Sequence, residues 1–333
     1  MPLHASAPVD RPSAITVCDV ALDNTAAVTQ LRGALSRHHR RGAPLLCLVR
    51  EKSHHLMTQA KAIGATDILE ANAPREALCA RLLALIGLGD GGDPAAAERR
   101  ALAQDGVLRT GLVLSRLFDV ATLGLAVEPD ILEQGSHAVL DAVRQTDIRS
   151  WLDVVWQHDD ATYQHCLLVA GLAAAFAQRL GFREKDQHLL SQAALLHDIG
   201  KAWIPPAILN KPGKLTAEEM QVMRTHATIG HQLLVRQGKL DRRLLDVVRH
   251  HHEYLDGSGY PDGLRDPQIG DLVRLTTICD IYAALIEQRP YKPALPPQKA
   301  FEIMVEMGGK LDQDLLAAFR RVAEAAGSAP ADP

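Results

Sequence analysis

Residues 193–201 read AALLHDIGK and place an adjacent histidine and aspartate, His197 and Asp198, inside an apolar run. An ionisable side chain on an otherwise apolar helix needs a partner, because its burial is costly. A glycine and a lysine, Gly200 and Lys201, follow at once. One imidazole and one carboxylate can therefore face the same ion, and this segment is a candidate for the centre of a metal site.

Further histidines and aspartates recur on both sides of this pair, again on segments that read as buried helices. They are His165, His226, His251, His252 and Asp280. With His197 and Asp198 they do not form the tetrahedral set of a structural zinc site. They suffice for two metal ions sharing a bridging carboxylate, the arrangement that stabilises the attacking and leaving oxygens in phosphoester hydrolysis. Nitrogen and oxygen ligands without thiolate favour iron or manganese, with nickel or zinc as substitutes.

Other histidines have a plainer interpretation. A lone histidine on an apolar helix is more often a core residue with a local partner than a metal ligand. We assign that structural role to His158, His188, His231 and His250. The run of three histidines at 250–252 is ambiguous, because spacing alone does not say which two of them bind metal.

The chain resembles the HD-GYP family, a bacterial branch of the HD phosphohydrolases, in the segments HDIGK (197–201) and HHEYLDGSGYP (251–261). Supporting similarity is found in ILNKPGKLTAEE (208–219), in His226 with Gly230, and in QRPYK (288–292), over roughly residues 147–319. The resemblance implies an all-α hydrolase domain that cleaves the second messenger cyclic di-GMP. The expected reaction is in-line attack by a hydroxide shared between two metal ions, giving pGpG, with onward cleavage to GMP left open.

The family pattern also implies which residues bind metal. Its HHE triplet aligns with His251-His252-Glu253, and His250 is thereby left out. The implied ligands are His165, His197, Asp198, His226, His251, His252 and Asp280. Asp198 is expected to bridge the ions, with the residues at 165, 197 and 280 mainly on one metal and those at 226, 251 and 252 on the other.

The same resemblance implies catalytic and substrate-binding residues. Asp198 and Lys201 are the expected catalytic pair, since Lys201 resembles the lysine that holds the phosphate or the nucleophile. Arg289 and Lys292 resemble the pair that grips the substrate phosphates, where an acidic protein must supply cations locally. The turn at 256–261 is expected to shape the pocket rim, with Tyr260 contacting the substrate.

Two positions depart from the family pattern. Some members carry a glutamate one helical turn before the first histidine ligand, which helps to hold a third metal. This chain has Ala161 there, which favours two metal ions. The family usually carries a second aspartate one turn after the last ligand, where this chain has Ala283. That loss is expected to affect the orientation of Lys201 or of a ligand, and thus the rate more than metal binding.

The first 86 residues alternate short apolar runs with helical patterns. This predicts three parallel β/α units, with strands at 14–20, 44–49 and 66–70 and helices at 25–40, 52–63 and 74–86. The segment resembles the second half of a receiver domain, with Asp19 as the phospho-acceptor. Val49 and Ala71 replace the usual hydroxyl residue and lysine, and thirteen leading residues leave no room for the first strand. We therefore expect a truncated receiver-like domain that is not phosphorylated, or an Asp19 that only caps a strand.

The sequence GLGDGGDP (87–94) marks a boundary between the α/β region and an all-α region. The predicted domains are a receiver-like domain at 1–92, connecting helices at 93–145, the HD-GYP domain at 146–325 and a disordered tail at 326–333. A long connecting helix at about 95–123 carries apolar positions that commonly pack against a second copy, so we expect a homodimer.

Composition limits the other functions. A net charge of −4 argues against general nucleic-acid binding, and no run approaches the ~20 apolar residues of a membrane span. Five scattered cysteines without a CxxC pair fit a reducing cytoplasm. Two alternatives to the cyclic di-GMP hydrolase remain. One is a weakly active sensor of cyclic dinucleotides that signals through protein contacts in two-component signalling. The other is a phosphatase for another nucleotide, against which the GYP and QRPYK segments argue.

Overall fold

The chain divides into two compact units, residues 1–97 and 98–333, which are described separately. The computed structural model describes residues 15–19, 25–38, 44–50, 54–85, 94–158, 160–236, 238, 240–287 and 294–327. No helix in these ranges combines the length and apolarity needed to cross a membrane.

The amino-terminal unit is a small α/β arrangement. Its elements are β1 (Thr16–Asp19), α1 (Thr25–His38), β2 (Leu45–Val49), α2 (His54–Ala62), β3 (Asp67–Glu70) and α3 (Arg75–Leu85). The strands pair in parallel in the order β1-β2-β3, with Cys18 opposite Cys47 and Cys47 opposite Ile68. Parallel neighbours require crossover connections, which α1 and α2 supply. The prediction of three parallel β/α units is therefore confirmed.

The second unit is helical. Its helices are α4 (Pro94–Thr122), α5 (Pro129–Gln145), α6 (Ile148–Val155), α7 (Ala161–Arg179), α8 (Glu184–Leu196), α9 (Pro206–Leu209), α10 (Ala217–Val235), α11 (Arg242–His250), α12 (Asp271–Ile286), α13 (Pro297–Glu306) and α14 (Gln313–Gly327), with 3-10 turns at Ile199–Trp203 and Gly308–Lys310. The predicted mostly helical domain is confirmed.

Helix α7 runs through the centre of this unit. Its sequence is apolar on every side, as expected for a fully buried helix, and each residue from Gln164 to Ala174 is buried. Asp160 begins the helix by accepting hydrogen bonds from the backbone N–H groups of Thr162 and Tyr163 at 2.9 and 3.0 Å. This cap fixes the start of the helix, one turn before His165.

The apolar stripe of α4 is divided between the core and the surface. Leu114 and Leu117 are fully buried and belong to the same core as α5 and α7. Leu108 and Leu112 are 61% and 64% exposed. The helices at 93–145, predicted to be connectors, thus contribute to the core of the second unit from Val107 onward.

The predicted disordered tail begins two residues too early. Ala326 and Gly327 form the end of α14, and Ala326 is buried. The Arg149 guanidinium donates a hydrogen bond to the Ala326 carbonyl at 3.1 Å, and the helix thus continues into the Ala-rich sequence that suggested disorder. Residues 328–333 lie outside the described residues.

Candidate metal centre

The seven predicted ligands come from five places in the fold. His165 lies in the second turn of α7, His197 and Asp198 directly follow α8, and His226 lies in α10. The others are His251 and His252, directly after α11, and Asp280 in α12. All except His252 are nearly or fully buried. Helix packing therefore brings together residues up to 115 positions apart in the sequence.

The ligand atoms form two adjacent groups, and within each group all of them lie within 4.8 Å of one another. The first group, which we call the Asp198 group, contains Asp198, His226, His251 and His252. The second group, the His165 group, contains His165, His197 and Asp280.

The Asp198 carboxylate lies between these groups. Its Oδ1 is 3.3 Å from His226 Nε2 and 3.9 Å from His251 Nε2. Its Oδ2 is 3.2 Å from His197 Nε2 and 3.6 Å from His165 Nε2. Each oxygen thus faces a different pair of imidazoles.

Backbone carbonyls fix the tautomer of three of these histidines. The Nδ1 atoms of His197, His226 and His251 lie 2.6, 2.7 and 3.1 Å from the carbonyl oxygens of Ala194, Met223 and Val247. A carbonyl can only accept, so Nδ1 carries the hydrogen and Nε2 presents a lone pair. This is the orientation that protein surroundings impose on metal-binding histidines.

The lone pairs converge in a way that fits a cation. His226 Nε2 and His251 Nε2 are 3.3 Å apart, and two acceptors cannot bond to each other. His197 Nε2 and Asp198 Oδ1 are buried and make no hydrogen bond within the described residues. Buried polar atoms without a hydrogen-bond partner are rare. Several nitrogen and oxygen donors around one space are suited to bind a divalent ion. The residues present therefore fit a metal.

Electrostatics place most ligands in the protonation state that metal binding needs. Burial would raise the pKa of Asp198, but Lys201 and His197 hold it well below its usual range. Burial lowers the pKa of His251 well below the ordinary histidine value and lowers that of His252 to about 3. The carboxylate is thus charged and these imidazoles are neutral at neutral pH.

His165 differs from the other histidines. Burial favours its neutral form, but contacts with Asp280 and Glu287 outweigh that effect and raise its pKa to about 9. Its Nε2 lies 2.9 Å from Asp280 Oδ1, and its Nδ1 lies 3.4 Å from Glu287 Oε2. This imidazole is therefore held between two carboxylates.

The HD domain family profile matches residues 145–315, slightly more than half of the chain. The protein belongs to the HD domain family. Within that family it carries the HD-GYP sequence features, and the matched range contains all seven residues of the two ligand groups.

Curated relatives are similar over the same region. A cyclic di-GMP phosphodiesterase of Pseudomonas aeruginosa is 36% identical over 207 residues, covering 61% of this chain and 49% of the relative. A 3'3'-cGAMP-specific phosphodiesterase of Vibrio cholerae is 35% identical over 182 residues, covering 54% and 39%. The chain thus spans about half or less of the length of the relatives it matches.

A solved structure shares the fold. Bd1817, an HDG"Y"P protein from Bdellovibrio bacteriovorus, aligns with a TM-score of 0.54 over 71% of this chain and 74% of that chain. At 19% identity, the likeness concerns the fold alone.

The three consecutive histidines of the HD domain point in different directions. His251 and His252 join the Asp198 group. His250 lies at the surface, where its Nε2 is 2.9 Å from Asp262 Oδ2, an oxygen that also accepts a hydrogen bond from Arg249 at 2.7 Å. Helix α11 ends at His250, and His251 keeps α-helical backbone angles. Successive side chains on such a backbone project about 100° apart, which separates His250 from His251.

The predicted catalytic and substrate-binding residues are only partly described. Lys201 donates a hydrogen bond to Asp198 Oδ2 at 2.6 Å. Tyr260 stacks on His252 with 4.7 Å between ring centroids, and the exposed Arg224 guanidinium lies 4.8 Å from the Tyr260 ring. Arg289 and Lys292 lie outside the described residues.

The 3-10 turn that carries Lys201 packs closely against α10. A side chain at Gly200 would collide with the backbone carbonyl of His226. Glycine therefore allows the turn that carries Lys201 to lie directly against α10. This contact explains why a glycine, Gly200, directly precedes Lys201.

Two buried glutamates near the ligands were not predicted from the sequence. Glu253 accepts hydrogen bonds from the backbone N–H groups of Asp262, Gly263 and Leu264 at 2.6, 3.0 and 3.1 Å, which fixes the GYP turn. Its position in the HHE triplet was the available signal. Glu287 is fully buried beside His165. Its only signal was its spacing of two helical turns from Asp280.

Proposed function

We propose that this HD domain holds two divalent metal ions, iron or manganese, and hydrolyses cyclic di-GMP to pGpG. The observation that carries the proposal is the Asp198 carboxylate, whose two oxygens face separate pairs of imidazoles at 3.2 to 3.9 Å. A carboxylate placed in this way is suited to bridge two ions. The names of the relatives, which include enzymes for cyclic di-GMP and 3'3'-cGAMP, support a cyclic dinucleotide as the substrate.

Each of the two ions would have its own set of ligands. His165, His197 and Asp280 would hold one ion, and His226, His251 and His252 the other, with Asp198 shared. When bound, two ions supply Lewis acidity that activates water near neutral pH and stabilises charge on the phosphoryl oxygens. The buried walls exclude bulk solvent and strengthen these interactions.

Lys201 supplies a fixed positive charge next to this carboxylate. Burial would lower its pKa, but Asp198 raises the pKa above the usual lysine value, so the ammonium stays charged. Its Nζ is 2.6 Å from Asp198 and only partly exposed. It can therefore hold an anionic phosphate oxygen or orient the attacking water without acting as a base.

The substrate would enter on the side where His252 and Tyr260 are only partly buried. Burial raises the pKa of Tyr260, so its hydroxyl remains a hydrogen-bond donor. Arg224 lies above the same ring. With Arg289 and Lys292, which the family resemblance places at the phosphates, these side chains would bind a doubly charged cyclic dinucleotide.

The test is a product assay with the purified full-length protein. After anaerobic loading with iron or with manganese, it is incubated with cyclic di-GMP and, separately, with 3'3'-cGAMP, and the products are separated by chromatography. The proposal predicts pGpG from cyclic di-GMP, and continued incubation tells whether GMP follows. Loss of activity in Asp198→Ala and its retention in His250→Ala would tie turnover to the metal centre. A metal-loaded protein that leaves both nucleotides intact would contradict the proposal.

A second candidate is a cyclic-dinucleotide sensor with weak or absent turnover. It is favoured by Ala283, which is fully buried one turn after Asp280 and offers no carboxylate. The same assay separates the candidates, because a sensor retains labelled cyclic di-GMP in equilibrium dialysis without forming product.

The amino-terminal unit is proposed to be a receiver-like module that binds partner proteins or a second copy and is not itself phosphorylated. A reducing cytoplasm is the proposed location, because all five cysteines are free of disulfides. The homodimer would use the exposed Leu108 and Leu112, which lie four residues apart on one face of α4.

Light scattering tests the dimer. The full-length protein should have twice the chain mass, and Leu108→Glu with Leu112→Glu should shift it towards the monomer. The matched variant Val305→Glu introduces the same charge at an exposed apolar residue of α13 and should leave the mass unchanged. A monomeric wild type would contradict the dimer.

A further inference from the structure

Glu287 is a buried carboxylate beside the metal-site residue His165. It is fully buried and directly follows the last residue of α12, where the backbone leaves the helix. Its Oε2 lies 3.4 Å from Nδ1 of His165. Burying a carboxylate is costly unless a charged or hydrogen-bonding partner offsets the loss of hydration. The position is therefore not explained by packing alone.

The geometry places Glu287 behind His165 and not among the metal ligands. The other ring nitrogen of His165, Nε2, points at Asp280 Oδ1 and Asp198 Oδ2, at 2.9 and 3.6 Å. The two ring nitrogens of an imidazole point in divergent directions, so a group at Nδ1 cannot share an ion with Nε2. Glu287 is accordingly absent from both ligand groups.

The other buried histidines of the centre show what is missing at His165. His197, His226 and His251 each have Nδ1 bonded to a carbonyl three or four residues earlier in the chain. Nδ1 of His165 makes no hydrogen bond to a backbone carbonyl within the described residues and lies 3.4 Å from Oε2 of Glu287. The side chain that caps α12 thus occupies the place that a backbone carbonyl occupies elsewhere.

Helix periodicity explains why position 287 can serve this purpose. Residues seven apart lie on one face of a helix, so Glu287 projects on the same side as Asp280. Ala283 lies between them on that face, is fully buried and has no polar group. Glu287 lies one helical turn beyond Ala283, and its side chain is one methylene longer than that of an aspartate. Its carboxylate therefore lies beside the His165 imidazole.

We infer that Glu287 is a positioning residue, which holds His165 with its Nδ1–H directed at the carboxylate and its Nε2 free to bind metal in the His165 group. This inference rests on the metal centre of the proposed function, but not on turnover. Removing an outer partner of a ligating histidine typically lowers metal affinity about 10–100-fold.

The experiment is a metal titration of the full-length, metal-free protein with Co(II), whose visible absorption reports on each binding step. The wild type should bind in two steps. Glu287→Ala should weaken one step about 10–100-fold and leave the other unchanged. Glu287→Gln keeps an acceptor for Nδ1–H and should recover most of the loss.

A double-mutant cycle shows whether the effect passes through His165. Once His165→Ala has removed the ligand, adding Glu287→Ala should cause no further loss of Co(II) affinity. Additive losses would overturn the inference, as would a Glu287→Ala variant that binds Co(II) like the wild type. Equal affinities of the Gln and Ala variants would also overturn it.

Thermal unfolding of the metal-free variants measures the structural part of the effect. Because Glu287→Ala removes one partner of a buried ion pair, it should lower the metal-free melting temperature. Weakening of both Co(II) steps to the same extent would show that this destabilisation is the whole effect and would overturn the inference. Two-step binding without cleavage of cyclic di-GMP would refute the proposed function alone, whereas a wild type that binds no Co(II) would refute both.

Discussion

The two units of this protein bury different kinds of side chain. In the part of the amino-terminal unit whose side chains are described, the buried residues are apolar or cysteine, such as Leu46, Cys47 and Ile68. The HD domain buries histidines and carboxylates as well, including His197, Asp198 and Glu287. Apolar burial stabilises a fold without further explanation, whereas buried ionisable groups cost free energy unless something binds them. The comparison therefore locates the chemistry in the HD domain.

The largest expected effect is from removing the carboxylate between the two ligand groups. Asp198→Ala should abolish hydrolysis of cyclic di-GMP. This loss is larger than the decrease of about 10–100-fold that is typical when a residue behind a metal ligand is removed. The reason is that Asp198 contacts imidazoles of both groups and also Lys201. The rate is measured by chromatography of the products. The control is Asp262→Asn, an aspartate of the same domain that pairs with Arg249 at the surface. Residual activity in Asp198→Ala comparable to the control would break the comparison.

Metal content distinguishes neighbouring histidines within the HD domain. The wild type should contain about two ions per chain, because two adjacent ligand groups are present. His251→Ala should lose about one of them, since its Nε2 lies beside Asp198 Oδ1. His250→Ala should retain both, because its ring pairs with Asp262.

Elemental analysis after anaerobic purification with supplied metal measures this difference. A wild type without metal would contradict the metal centre. Loss of metal in His250→Ala but not in His251→Ala would show that the assignment within the triplet is wrong.

A smaller effect is expected at the predicted phosphate clamp. Arg289→Ala should raise the KM for cyclic di-GMP about tenfold or more and change kcat little, because a contact made equally in ground and transition states affects binding alone. Hydrogen bonds to charged groups contribute about 1.5–3 kcal/mol, which corresponds to that range. Steady-state kinetics separate the two constants. Arg224→Ala is a useful companion, since Arg224 lies over Tyr260 at the rim of the site. An unchanged KM would remove Arg289 from the clamp.

The sequence predicted the elements of the fold well where their periodicity was uniform. The strands and helices of the first 86 residues were placed within a few residues, because alternating apolar runs leave few options. The apolar positions of α4 were predicted to pack against a second copy, yet Leu114 is buried within its own unit and Leu112 is exposed. Spacing fixes which residues share a face, but the packing partners that decide burial lie in other helices.

The candidate site was predictable to the extent that it consists of a contiguous signature. The His-Asp pair and the HHE triplet directed attention to residues that the structure brings together. Glu253 and Glu287 were not assigned roles, because a glutamate at a helix end reads as a solvated residue. Glu253 contacts the turn that follows it, and Glu287 contacts His165 in a distant helix. No local sequence pattern predicts either contact.

The smallest expected effect concerns the amino-terminal unit, where a receiver-like domain would carry its phosphate. Asp19 is exposed at the end of β1, the outer strand beside β2 among the three described strands. The neighbouring strand ends place Val49 opposite Glu70, and Ala71 follows β3. A stable acyl phosphate needs magnesium held by acidic groups and a cation that neutralises the phosphoryl oxygens, and Val49 and Ala71 supply neither a hydroxyl nor an amine. Acetyl phosphate should therefore neither label Asp19 nor change the rate of cyclic di-GMP hydrolysis.

Asp19→Asn is the matched control, since it removes the acceptor while preserving size. Intact-protein mass spectrometry after treatment with acetyl phosphate and magnesium should show no added phosphoryl group in either form, and both should have the same rate. A phosphoryl adduct present in the wild type and absent from Asp19→Asn would overturn this expectation. It would also break the comparison between the units, because a reactive carboxylate would then exist in the unit whose described core is explained by apolar packing alone.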